Sequence, residues 1–157
     1  MTDQPERLYL SSIRAYAHET ETLANDLAIR SFKPLDPTSF NVRLQVFVGG
    51  TEGGPVDSFD LDVCTPKWLA ENFNRVWKQH RLPGGRAASG AGVWLVESWD
   101  ADGIESTIRQ LVASATGSDW KDLANWLGRY IPWEFDYKYD REKGVRIDLV
   151  FPTNPEL

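Results

Sequence analysis

The chain has 157 residues, with 17 Lys or Arg against 23 Asp or Glu, so its formal net charge is −6. This length fits one domain spanning residues 1–157, which can bury a core without disulfides or metal ions. One cysteine and two histidines exclude an internal disulfide and the usual zinc sites, and the acidic balance argues against a general nucleic-acid-binding protein.

The first residues do not have the pattern of an export signal. Met1 is followed by acid and proline, whereas a signal peptide begins with positive charge and continues with an apolar run. No stretch reaches the ~18 consecutive apolar residues of a membrane-spanning helix. The sequence therefore predicts a soluble, cytoplasmic protein that does not bind membranes.

The first half of the chain predicts a β-hairpin after two less regular segments. Residues 8–15 are a candidate strand, and residues 16–33 hold a candidate short helix in which Leu23, Leu27 and Ala28 share one face. Apolar residues then alternate with other residues over 42–48 and again over 59–63. The glycine-rich stretch 49–55 between them cannot continue a strand, so the two runs predict a hairpin with a long connection.

Three helices are predicted after this hairpin. The first begins at Thr65-Pro66, since Thr is a good N-cap and Pro is well tolerated at the first helical position. The second follows the capping-box pattern that starts at Asp102, and the third has Ser118 as its N-cap. Each is followed by an apolar stripe at helical spacing.

Further strands are predicted between and after these helices. Residues 81–92 form a glycine-rich loop, and residues 93–99 are apolar on both faces, as is typical of a central strand. Residues 133–151 predict a C-terminal hairpin, and the stretch 133–157 ends in a tail. Together the elements predict an α+β single domain, with a largely antiparallel sheet and about three helices on one face. The following residues are expected to share its core: Val46, Leu61, Trp68, Leu69, Phe73 and Leu123.

Few residues suggest catalysis. Cys64 precedes a helix start, where a thiol pKa can fall, but no local motif links either histidine to it, so we interpret it as a packing residue. Asp60 and Asp62 share one strand face and could hold a divalent metal or share acid–base work, but a solvated face is the favoured interpretation. We therefore predict no catalytic residue, no cofactor and no metal site.

Two acidic runs are the best candidates for a binding surface. Neither run contains a basic residue, and surfaces of one charge steer partners of the opposite charge. The first run has Glu97, Asp100, Asp102 and Glu105, and the second has Glu52, Asp57, Asp60 and Asp62. We predict that the first run, together with Glu52 and Asp57, binds a protein with a basic surface.

Several motifs together resemble one protein family. The most specific is FDLDVCTPKWL at residues 59–69; the others are PLDPTSF at 34–40 with the strand VRLQVFVG at 42–49, SDW at 118–120 and WEF at 133–135. This set resembles the immunity protein 8 family of bacterial polymorphic-toxin systems over residues 34–137. The chain departs from the family pattern at residues 16–33, at residues 81–92 and after Tyr139, and such variable segments are candidates for partner binding.

The resemblance implies a cytoplasmic, non-enzymatic antitoxin. Members of the family bind and neutralise the C-terminal domain of a toxin, and so protect the bacterium that produces it. Such toxins are delivered by contact-dependent inhibition or other secretion routes, and many are nucleases. The alternatives are a small cytosolic enzyme that uses Cys64 or the pair Asp60 and Asp62, and a ligand-binding module that uses exposed aromatic residues such as Trp126.

Overall fold

The computed structural model describes residues 7–17, 27–88 and 92–134, and these residues form an α+β fold. The strands are β1 (Tyr9–Ala17), β2 (Leu27–Ala28), β3 (Asn41–Gly49), β4 (Val56–Cys64) and β5 (Val93–Leu95). The α-helices are α1 (Pro66–Glu71), α2 (Phe73–His80), α3 (Ala101–Ala113) and α4 (Trp120–Gly128). A 3-10 turn covers Ile29–Ser31. None of the described helices is long and apolar enough to cross a membrane.

The five strands form one sheet in the order β2-β1-β3-β4-β5. The predicted hairpin is confirmed, since β3 and β4 pair antiparallel with Leu44 opposite Leu61. All other pairs are antiparallel except β4 with β5, which is parallel. Consequently the C-terminal ends of β4 and β5 lie at the same end of the sheet, next to the first residue of β3.

One face of the sheet packs into the hydrophobic core. The alternating residues of β3 and β4 are fully or almost fully buried, as the period-two pattern predicted. They share one cluster with the apolar stripes of α3 and α4. The members from these four elements are Val42, Leu44, Val46, Val48, Phe59, Leu61, Val63, Ile104, Ile108, Val112, Ala124 and Leu127.

The expected burial of Phe73 is wrong, and the predicted helix after Thr65 is broken in two. Thr65 caps α1 as predicted, accepting a hydrogen bond from the backbone N–H of Trp68. Asn72 then ends α1: its side-chain amide donates to the Trp68 carbonyl at 2.9 Å. The chain then restarts as α2. Phe73 shares the helical side of Leu69, four residues earlier, and not that of the buried Trp68; accordingly Leu69 is only half-buried and Phe73 is 49% exposed.

The predicted central strand at residues 93–99 is also wrong in length and position. Only Val93–Leu95 pairs with β4, and among the strands that the structure describes β5 lies at the edge of the sheet. The rest of the apolar run leaves the sheet because Trp99 packs edge-on between Phe32 and Phe40. The run therefore owes its apolar character to contacts with a loop as well as to strand pairing.

The candidate helix in residues 16–33 is wrong where the structure describes it. Leu27 and Ala28 form β2, which pairs antiparallel with Ala15 and Arg14 of β1. Leu23 lies outside the described residues. The candidate strand at 8–15 is confirmed as β1, and its poor alternation follows from a shift in the β1–β3 register between Leu10 and Ser12.

Both later helices begin at a different cap from the predicted one. The N-cap of α3 is Asp100, whose carboxylate accepts a hydrogen bond from the Gly103 N–H at 3.0 Å. The N-cap of α4 is Asp119. The predicted hairpin at 133–151 lies almost wholly outside the described residues; within them, Trp133 forms an antiparallel bridge with Phe59.

Candidate partner-binding surface

The first acidic run lies at the end of the sheet where β4 and β5 have their C-terminal residues. Glu97, Asp100 and Asp102 are exposed in the connection from β5 to α3 and in the first turn of that helix. The Asp100 carboxylate also caps α3. These three side chains give this end of the sheet an acidic surface.

Glu105, the fourth member of the run, is used inside the fold. Its side chain is only 17% exposed and accepts hydrogen bonds from Arg30 at 2.6 Å and from Arg109 at 3.2 Å. The Arg30 hydrogen bond is the main reason why the pKa of Glu105 lies below its usual value. Arg30 also approaches Asp102, at 3.5 Å, so the run is partly neutralised by one arginine.

Most carboxylates of the second run also have partners within the chain. Asp57 accepts a hydrogen bond from the Trp133 indole at 3.0 Å, and Asp60 accepts one from the Ser58 hydroxyl at 2.9 Å. Asp62 forms a bidentate ion pair with Arg43, whose Nε and Nη2 donate to the carboxylate at 2.9 and 3.2 Å. Glu52 alone among the four is exposed, on the turn between β3 and β4.

The structure does not bring Glu52 and Asp57 close to the first acidic run. Glu52 and Asp57 lie where β4 begins, whereas Glu97 and Asp100 follow β5 near the end of β4. A strand of this length separates its ends by about 25–30 Å. The six predicted contact residues therefore form two surfaces rather than one.

Two exposed apolar side chains accompany the first acidic run. Leu35, 84% exposed, lies in the loop that leads to β3, and Leu95, 57% exposed, is the last residue of β5. The backbone N–H of Trp99 donates to the Pro37 carbonyl at 2.8 Å, which joins the two segments. Sequence analysis did not identify either leucine, although Pro34 and Pro37 on both sides of Leu35 indicated a loop there. Apolar residues among charged ones are typical of protein–protein contacts.

The residues considered for catalysis, Cys64, Asp60 and Asp62, are buried or hydrogen-bonded within the fold. Cys64 is 2% exposed, and burial, followed by the nearby Asp62 carboxylate, raises the pKa of its thiol to about 11. Its sulfur is therefore protonated near pH 7 and a poor nucleophile. Across the described residues, no three or more His, Cys, Asp or Glu side chains lie close enough together to hold a metal ion.

A shallow groove of about 380 Å³ lies over the sheet. Its lining is Ser11, Ser12, Arg14, Tyr16, Phe47 and Val56, a set without carboxylate, thiol or imidazole. The aromatic surface expected at Trp126 is small: this half-buried ring lies 5.2 Å from the ring of Tyr130, and both are on the C-terminal part of α4 and the turn after it. Neither feature combines the groups that acid–base chemistry needs.

Comparison with known proteins adds one finding. The model of a family described as immunity protein 8 matches residues 19–137. The match includes residues 19–33, which lie before the motifs that carry the resemblance in the sequence. No curated protein and no solved structure matches the chain significantly.

Proposed function

The chain belongs to the immunity protein 8 family, and from this membership we propose that it binds a bacterial toxin domain and neutralises it without catalysis. The partner is the C-terminal domain of a polymorphic toxin, of the kind delivered by contact-dependent inhibition, and a nuclease is one candidate activity. The chain acts in the cytoplasm of the bacterium that produces the toxin. There it binds the toxin domain as a protein ligand and needs no cofactor.

The family match carries this proposal, because it extends over most of the described sheet and helices. The chemistry of the fold supports it. The buried thiol of Cys64 and the ion-paired Asp62 are tied to structural roles, so neither supplies the activated group that the enzyme hypothesis assigned to it. Exposed charged and apolar residues at the end of β5 are instead suited to a protein partner.

We propose that the acidic surface steers the toxin domain to its binding site. Glu97, Asp100 and Asp102 form the main acidic surface, and Glu52 and Asp57 form a second, smaller one. A toxin domain with a basic surface would approach such carboxylates faster than a neutral one, and salt would weaken the effect. Glu105 was predicted to contact the partner as well, but its arginine pairs give it less freedom to do so.

Growth of bacteria that express the toxin tests the proposed function. The toxin domain encoded in the reading frame next to this gene is expressed with or without the chain. We expect growth arrest without the chain and normal growth with it. Arrest in both cultures, with the chain present as folded protein, would contradict the proposal.

Association kinetics test the acidic surface separately. Glu97→Lys reverses an exposed charge of the main acidic surface, and Glu52→Lys makes the same change in the second, smaller one, so the two variants compare the two surfaces. In low salt we expect Glu97→Lys to slow association with the toxin domain several-fold more than Glu52→Lys does. The difference between the association rates of the two variants should become smaller in high salt. Equal on-rates for Glu97→Lys and the unaltered protein would remove this surface from the docking site.

A further inference from the structure

Helix α2 presents two aromatic rings that the described part of the fold leaves partly uncovered. It packs mainly against α1. Phe73 is 49% exposed, and Trp77, one turn later, is half-buried. Their ring centroids are 5.7 Å apart, so they form one apolar surface. An exposed aromatic pair on an amphipathic helix is unusual for a surface that only meets water.

The segment that contains this aromatic pair is rich in basic residues. Residues 65–88 contain five basic residues and a single acid, Glu71, although the whole chain has a net charge of −6. The basic residues are Lys67, Arg75, Lys78, Arg81 and Arg86. The Arg81 guanidinium lies 6.0 Å from the centroid of the Trp77 ring, and Arg75 lies 5.3 Å from that of Trp68. Cations and aromatic rings therefore alternate over one helical segment.

Building on the proposed function, we propose that this face of α2 is a docking site for the toxin domain, and that it fits an apolar depression bordered by carboxylates. We define the α2 face as Phe73 and Trp77 with the neighbouring cations Lys78 and Arg81. Arg75, two positions from each ring, lies on the other side of α2 against Trp68. Aromatic residues and arginine supply most binding hot spots in protein interfaces. The cations set the charge of the partner, because opposite charges across an interface favour the correct complex.

A toxin domain fits this face better than a second copy of the chain. Two copies each carry a net charge of −6 and repel one another at long range. The acidic residues at Glu97 and Asp102 and the cations of α2 give the chain surfaces of both signs. We therefore expect a partner whose surface has the reverse pattern, with basic groups facing Glu97 and carboxylates facing Lys78.

The test measures affinity for the purified toxin domain encoded next to this gene. Because about half of Phe73 is exposed in the free protein, Phe73→Ala should lower the urea midpoint of unfolding only slightly and weaken binding at least tenfold. The matched control is Val56→Ala, which removes exposed apolar surface at the far end of β4 and should bind like the unaltered protein.

Charge reversal supplies a second arm. Lys78→Glu should slow association in low salt, whereas Lys121→Glu, an exposed charge on α4, should have a smaller effect. Unaltered affinity of Phe73→Ala, beside tight binding by the unaltered protein, would overturn this inference and leave the proposed function standing. Failure of the unaltered protein to bind would overturn both.

Two other results would assign the α2 face to a different occupant and so overturn the inference. A large drop in the unfolding midpoint for Phe73→Ala, of the size that removal of a fully buried phenylalanine gives, would show that another part of this chain covers the ring. Sedimentation that reveals a dimer of the unaltered protein, lost on Phe73→Ala, would show that a second copy covers it.

Discussion

Glu105 illustrates how a residue that looks like free surface charge in the sequence acts inside the fold. Its neighbours along the chain are acidic, but its nearest charged groups in space are Arg30 and Arg109. Arg109, four residues later, could be found from helical spacing. Arg30 lies 75 positions earlier, and no local pattern indicates that it reaches α3.

Glu105→Gln should lower the free energy of unfolding by about 0.2–1 kcal/mol at pH 7, as for other exposed pairs. Because the pKa of Glu105 is lowered in the folded state, its contribution is complete above the usual glutamate pKa of about 4.3. It is lost as the pH falls through the lower, folded-state value. Urea unfolding at pH 7 and at pH 3 measures both effects.

The control for this experiment is Glu97→Gln, which removes an exposed charge and should alter stability by less than about 0.5 kcal/mol at either pH. A Glu105→Gln difference of equal size at pH 7 and pH 3 would assign the effect to packing. The pairing with Arg30 would then not stabilise the fold.

Cys64 should resist alkylation in the folded protein. Its thiol is buried and has a pKa of about 11, so at pH 8 only about one molecule in a thousand carries the reactive thiolate. The folded protein should react with iodoacetamide at pH 8 at least 100-fold more slowly than the urea-unfolded protein. Mass spectrometry measures the labelled fraction over time. Rapid labelling of the native protein would return Cys64 to the list of candidate nucleophiles.

Among the elements, the β3–β4 hairpin was the most predictable. Its alternation is unbroken, and the strand pairing places Leu44 opposite Leu61 without help from distant residues. The start of α3 was less predictable, because Asp100 and Asp102 are both acceptable N-caps by residue type. Only the backbone geometry at Asp100, with its hydrogen bond from Gly103, distinguishes them.

The two aspartates of α3 give a matched pair of substitutions. Asp100→Ala removes the N-cap and should lower the free energy of unfolding by about 1 kcal/mol. Asp102→Ala removes an exposed first-turn acid and its 3.5 Å contact with Arg30, and should cost less, about 0.3–1 kcal/mol from the helix dipole and the exposed ion pair together. Thermal or urea unfolding of both variants provides the comparison. A larger loss for Asp102→Ala would restore the cap predicted from the sequence.

At the scale of the whole molecule, long-range contacts decide which apolar residues remain on the surface. The composition and alternation were sufficient for an α+β fold with a mainly antiparallel sheet. Phe73 is exposed although it belongs to the apolar stripe predicted for the first helix, and Leu95 is exposed at the end of the outermost described strand. The parallel β4–β5 pair then places the start of α1 and the acidic loop at one end of the sheet, which the sequence did not indicate.

Isothermal titration of the purified chain with the toxin domain encoded by the adjacent reading frame tests the central claim most directly. The account predicts a one-to-one complex with a dissociation constant on the order of 10⁻⁹ M, as neutralisation at low protein concentration requires. The absence of binding heat at several temperatures, with both proteins folded, would contradict the claim that this chain is the toxin's immunity protein.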